Sequence, residues 1–157
     1  MEKKSLISLA ALMFLAACEC CSDDVEQVEV VQDDSLSAAV ADFVANAGDR
    51  VHFDFDKSTL SEESKATLGR QADWLQGHQQ YNVLIEGHCD ERGTREYNLG
   101  LGERRADAAA RFLAEKGVAG DRIRTVSYGK DRPIAATGSQ EEIYRLNRVA
   151  ISVLEKN

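Results

Sequence analysis

From residue 50 onward the chain alternates between strand-like and helix-like hydrophobic periods, and this alternation limits its fold more than any other feature. Val51, Phe53 and Phe55 alternate with His52 and Asp54, the period-two pattern of a half-buried strand. Ser61 is placed to cap a helix with Glu62 and Glu63 in its first turn, and Leu68, Ala72 and Leu75 carry that helix to about Gly77. Val83-Leu84-Ile85 marks a second strand within residues 82–87. After a charged loop over 88–96, Leu101, Ala108 and Phe112 share a stripe of the longest helix, expected over about 99–116, with Gly117 at its C-terminal cap. A third strand over 123–128, a loop through Gly138 and a short helix over 141–147 follow. Val149, Ile151 and Val153 alternate in a final strand, and Trp74 is expected to pack in the core or at its edge. The order β-α-β-α-β-(α)-β predicts an α+β two-layer sandwich, a mixed four-stranded sheet with helices packed on one face.

Charge divides the chain. The 157 residues carry a net charge of −8, yet residues 50–157 are neutral, with 17 acidic and 17 basic side chains. Residues 18–49 hold nine acids and no Lys or Arg. This boundary predicts a solvated acidic tether over 18–35, with Val25, Val28, Val30 and Val31 scattered among its charges, leading into a domain over 36–157 with its core at about 50–154. Fully extended, residues 19–35 would reach at most about 60 Å. Leu36, Val40, Phe43 and Ala47 predict a short amphipathic helix ended by Gly48. The acidic total excludes a nucleic-acid binder, which needs a basic face.

The first 17 residues read as a secretory signal: Lys3 and Lys4, then a mostly apolar run over 6–17 that is too short, at about 18 Å of helix, to span a bilayer. Leu15-Ala16-Ala17-Cys18 resembles the lipobox of bacterial lipoproteins. That resemblance implies that Cys18 becomes the first mature residue, with a diacylglyceryl group on sulfur and a palmitoyl chain on nitrogen. Several acyl chains anchor durably where one would be marginal. The implied location is the outer membrane, with the domain facing the periplasm. Cys20 and Cys21, adjacent in the tether, and Cys89 do not form a disulfide framework, and no Cys or His pairs lie at zinc-finger spacing.

Residues 86–113, EGHCDERGTREYNLGLGERRADAAARFL, bring a strand end, a polar loop and a helix start together. Asp90 in the loop and Arg105 on the helix could grip a group that carries both ammonium and carboxylate, the free head of an amino acid. The alternative is that Asp90 caps the loop and Arg105 makes a surface pair. His88 and Cys89 also invite a base–nucleophile reading, but neighbours in sequence point apart. His52, His88 and Asp90 are a weak candidate metal set.

Several motifs in order make the chain recognisable: Phe53-Asp54-Phe55-Asp56-Lys57-Ser58, Glu86-Gly87-His88 with Asp90-Glu91-Arg92-Gly93-Thr94, Tyr97-Asn98, Leu101 to Ala106, Val126 to Lys130, and Asn147-Arg148. Together they resemble the OmpA-like peptidoglycan-binding domain family. The resemblance implies a non-covalent clamp on the diaminopimelate side chain of the peptidoglycan stem peptide. Asp90 would take its ammonium and Arg105 its carboxylate, assisted by the amides near residues 99–101. Asn98 would order the loop or bond the ligand, Leu101 would line the pocket, and Phe55 and Asp56 would form the opposite wall. Replacing Asp90 or Arg105 is expected to abolish binding and leave the fold intact. Further implications are a non-enzymatic protein with no cofactor beyond the lipid on Cys18, no bound metal, and TolB and TolA of the Tol system as partners in envelope integrity and cell division. Cys89 and Arg95 stand where the family usually has a small or hydroxylated residue and Pro.

Overall fold

The computed structural model describes residues 34–157. The expected signal segment, Cys18, Cys20, Cys21 and nearly all of the tether lie outside the described residues. Helix α1 (Asp34–Asn46) already includes the last two positions assigned to the tether. Phe43 on its inner face and Ala47 just past its end are buried with Leu36 and Ala39 beside them, whereas Val40, expected there, is 38% exposed. The helix is turned so that Ala39 rather than Val40 meets the core. Phe43 packs edge-on to Trp74 at 5.1 Å, and the Trp74 indole donates to Asp42 at 2.6 Å, tying α1 to α2 (Glu62–Gly77). Ser61 caps α2 as its sequence suggests, accepting from the Ser64 amide.

Strand β1 (Arg50–His52) is shorter than its alternation predicts. Phe53 remains buried, but the chain then turns: the Lys57 amide donates to the Asp54 carbonyl, and Asp56 adopts φ +57°. Phe55 is therefore 57% exposed instead of continuing the strand's inner face. The remaining elements are β2 (Tyr81–His88), α3 (Arg95–Glu115), a 3₁₀ turn (Gly120–Arg122), β3 (Ile123–Gly129), α4 (Gln140–Asn147) and β4 (Val149–Lys156). The strands order as β1-β4-β2-β3, with β4 antiparallel to β1 and β2, and β2 parallel to β3 through α3. The predicted mixed four-stranded sheet and α+β class are thus observed.

The last strand and the longest helix turn faces to the core that apolar spacing alone does not mark. In β4 the core takes Ala150 and Leu154, and Ser152 donates to Gln71 of α2, so the helix-facing set is the one opposite to Val149, Ile151 and Val153. Val149 is nevertheless fully buried on the second face, so both faces of that strand end read as apolar and alternation alone does not choose between them. In α3 the buried stripe runs Leu101, Arg105, Ala106, Ala109 and Leu113, while Ala108 and Phe112 are half-buried. A charged residue on that stripe hides it from a hydrophobicity pattern. Gly87 and Gly102 let α3 press directly on β2, because a Cβ on Gly87 would collide with the Gly102 carbonyl. That contact fixes where the end of β2 meets the first turns of α3. Among the described residues no helix is long and apolar enough to cross a membrane.

Candidate functional site

The loop between β2 and α3 is held from several sides. Thr94 caps α3, accepting from the Tyr97 amide at 3.2 Å, so the helix begins four residues earlier than its apolar pattern suggests. Residues 99–101 therefore lie in the second turn, where amides are committed to the helix ladder, and they are not the free donors expected for a carboxylate. The Asn98 amide donates to the carbonyls of Arg92 at 2.7 Å and Thr94 at 3.1 Å, which is the loop-ordering role of the two foreseen for it. Lys130 ties the same loop from β3's end, donating to the Glu91 and Gly93 carbonyls.

Under this loop lies a cavity of about 190 Å³. Phe55, Asp56, Asp90, Asn98, Leu101 and Arg105, the residues singled out from sequence, all line it. Arg105 is 1% exposed, so a surface pair is ruled out. It donates from Nε to the Lys57 carbonyl at 2.9 Å, from Nη1 to the His88 carbonyl at 2.9 Å and the Cys89 sulfur at 3.3 Å, and from Nη2 to the Asp54 carbonyl at 3.1 Å. A guanidinium has five N–H donors, so one on Nη2 remains beyond these four bonds. Burial draws its pKa below the ordinary arginine value, opposed by Cys89 and Asp90. Among the described residues no ion pair joins Asp90 to Arg105, although both line the cavity. Asp56 accepts from the Tyr97 hydroxyl, linking the β1 turn to α3 across the mouth.

Asp90 is not bare. Its Oδ1 accepts from the Arg92 amide at 3.3 Å, and its Oδ2 accepts from Arg92 Nη2 at 2.6 Å and Arg148 Nη1 at 3.4 Å. Burial pushes the Asp90 carboxyl up, but the bonds and charge of Arg92 and the bond from Arg148 outweigh it and hold the carboxyl below its ordinary value of 3.8. Arg148 is itself anchored by Nε to the Phe53 carbonyl at 3.1 Å. The Arg92 guanidinium lies over the Phe55 ring at 4.0 Å and the Tyr144 ring at 4.3 Å. Neither arginine stands out from sequence as part of the site. Arg92 is two residues from Asp90, too close for a helical or strand spacing to pair them, and Arg148 is 58 residues away. The motif context of both was the only signal.

The other readings fare poorly on geometry. His88 is buried against Tyr128 with Nδ1 at 3.0 Å from the Arg132 carbonyl, while the Cys89 thiol bonds the Asn98 carbonyl and receives Arg105, so base and nucleophile do not meet. No group of three metal-ligating side chains occurs among the described residues. A larger cleft of about 460 Å³ runs along β1 past Arg50, His52, Glu63 and Arg145, but it does not gather the charges of the β2–α3 loop.

A family model described as the OmpA family matches residues 52–146. The chain belongs to the OmpA family. Relatives named peptidoglycan-associated lipoprotein match nearly end to end: that of Brucella melitensis is 45% identical over 96% of this chain and 92% of its own length. The Mesorhizobium japonicum relative of the same name is 42% identical over 95% and 90%. Among solved structures, the peptidoglycan-associated lipoprotein from Burkholderia pseudomallei superposes with a TM-score of 0.65 at 41% identity, covering 68% of this chain and 90% of that one. The C-terminal domain of Helicobacter pylori MotB matches with a TM-score of 0.62 over 69% and 85% of the two chains, and at 22% identity it shares the OmpA-like fold alone. The family expected from the motifs is thus the family found. The Brucella, Mesorhizobium and Burkholderia relatives are named as lipoproteins.

Proposed function

We propose that this OmpA-family domain binds the diaminopimelate of peptidoglycan stem peptides, and that a lipid on Cys18 holds the chain in the outer membrane, so that the protein fastens membrane to cell wall. The observation that carries this reading is the convergence of a buried carboxylate and a buried guanidinium, Asp90 and Arg105, on one small cavity walled by Phe55, Asp56 and Leu101. A zwitterionic amino-acid head fits such a pair: its ammonium faces Asp90, and its carboxylate takes the remaining Nη2 hydrogen of Arg105. The full-length relatives' name, peptidoglycan-associated lipoprotein, supports both ends of the tether. Anchoring at two ends raises effective concentration, so modest affinity in the cavity suffices. TolB and TolA are the partners this reading brings with it, with a role in envelope integrity and cell division, and the site needs neither metal nor cofactor.

The test is co-sedimentation with purified peptidoglycan. Asp90→Ala is expected to abolish it in a protein that remains folded by circular dichroism. Sedimentation equal to that of the unmodified protein would sink the clamp. Replacing Cys18 with Ser should release the protein from isolated membranes, and continued membrane association would count against lipidation.

A further inference from the structure

Two arginines share Asp90, and they differ in how freely each could leave. Arg148 is 8% exposed and tied to the Phe53 carbonyl, so it stays. The Arg92 side chain is 35% exposed at the rim, and its Nε is buried there without a hydrogen-bond partner. Its guanidinium is nonetheless held in place: 2.6 Å from Asp90 Oδ2 and flanked by the rings of Phe55 and Tyr144, the latter fixed by its hydroxyl donating to Glu91 at 3.0 Å. With Arg92 seated, both oxygens of Asp90 are occupied.

Accepting the reading of Asp90 as the ammonium seat, on which this step rests, we propose that Arg92 is a built-in competitor that occupies this seat in the free protein and yields it only to a ligand ammonium. Exchange of a guanidinium for an ammonium leaves the charge around Asp90 unchanged. A ligand without a cation restores nothing when it displaces Arg92, so the closed pair penalises every entrant and only a zwitterion recovers the loss. Phe55 and Tyr144 keep the guanidinium beside the seat, which makes Arg92 a competitor that sets affinity rather than a fixed part of the wall.

The experiment is calorimetric titration of the purified full-length protein with the tripeptide L-alanyl-γ-D-glutamyl-meso-diaminopimelate, and with the same tripeptide acetylated on its free side-chain amine. Arg92→Gln is expected to bind the free tripeptide about 3- to 10-fold more tightly while keeping its preference over the acetylated one, which Asp90 sets. Arg92→Lys, a cation without the planar fork, should fall between the two. Equal or weaker binding by Arg92→Gln, or the reverse order across Gln, Lys and Arg, would overturn the competitor. Asp90→Asn separates the two levels: if it loses binding while Arg92→Gln gains none, only the competitor fails. Should Asp90→Asn still bind the free tripeptide in preference to the acetylated one, the ammonium seat itself fails.

Discussion

The floor and the rim of the cavity each present an arginine near Asp90, and the two have opposite characters. At the floor, Arg105 joins three backbone carbonyls from two separate stretches, residues 54 and 57 after β1 and residue 88 at the end of β2. It holds the walls of the cavity together before any ligand arrives. At the rim, Arg92 makes its side-chain hydrogen bond to a single carboxylate and rests on two rings. Charge type does not separate the two roles. What separates them is how many internal acceptors each guanidinium already satisfies, and how much of it water reaches.

The sharpest way to break this contrast is to remove each arginine and measure stability. Arg105→Leu leaves four acceptors without their donor and is expected to cost about 3–5 kcal/mol by urea denaturation, together with loss of binding. This replaces the expectation from sequence that Arg105 could be removed with the fold intact. Arg92→Gln, exposed at the rim, should cost no more than about 1 kcal/mol. Equal costs for the two would dissolve the distinction between floor and rim.

How much of this was legible beforehand follows from the same contrast. The motif residues of the site, Asp90, Arg105, Asn98, Leu101, Phe55 and Asp56, were found because resemblance ties them to one pocket, and the structure does bring them together. Their partners were not foreseen. Nothing in spacing says that Arg105 is buried, since a charge on a helix usually means a solvated face, and it broke up the apolar stripe by which α3 would have been read correctly. The early start of α3 is hidden for a related reason: its first turn is polar, and only the Thr94 cap marks it. The exposure of Phe55 depends on a left-handed Asp56, a backbone choice that no alternation of side chains reports.

Acid titration sharpens the comparison by a smaller step. Because the folded Asp90 carboxyl lies below 3.8, its contribution is complete above the ordinary Asp value and is lost only as the pH falls through the lower folded value. Peptidoglycan co-sedimentation should therefore hold steady from pH 7 down to the ordinary Asp value and fail only as the pH falls on through the lower folded value. In Arg92→Gln the decline should begin at higher pH, because the rim arginine supplies most of what holds the carboxyl down. A decline of the unmodified protein centred near pH 6 would show that Asp90 is not held by the rim.

The smallest effect concerns Cys89, at the floor. Burial pushes its thiol up from 9.0, with Arg105 only partly opposing, and the side chain is 2% exposed. The thiolate is the reactive form, so the native protein should be alkylated at Cys89 by iodoacetamide only slowly, and quickly once urea opens the domain. Mass spectrometry of the peptide containing Cys89 reads this directly, independently of Cys20 and Cys21. Cys89→Ser keeps a donor for the Asn98 carbonyl and an acceptor for Arg105, so its cost should stay within about 1 kcal/mol. Rapid native alkylation would mean that the floor opens on its own, and Arg105 would then have to be counted with Arg92 as a group that moves.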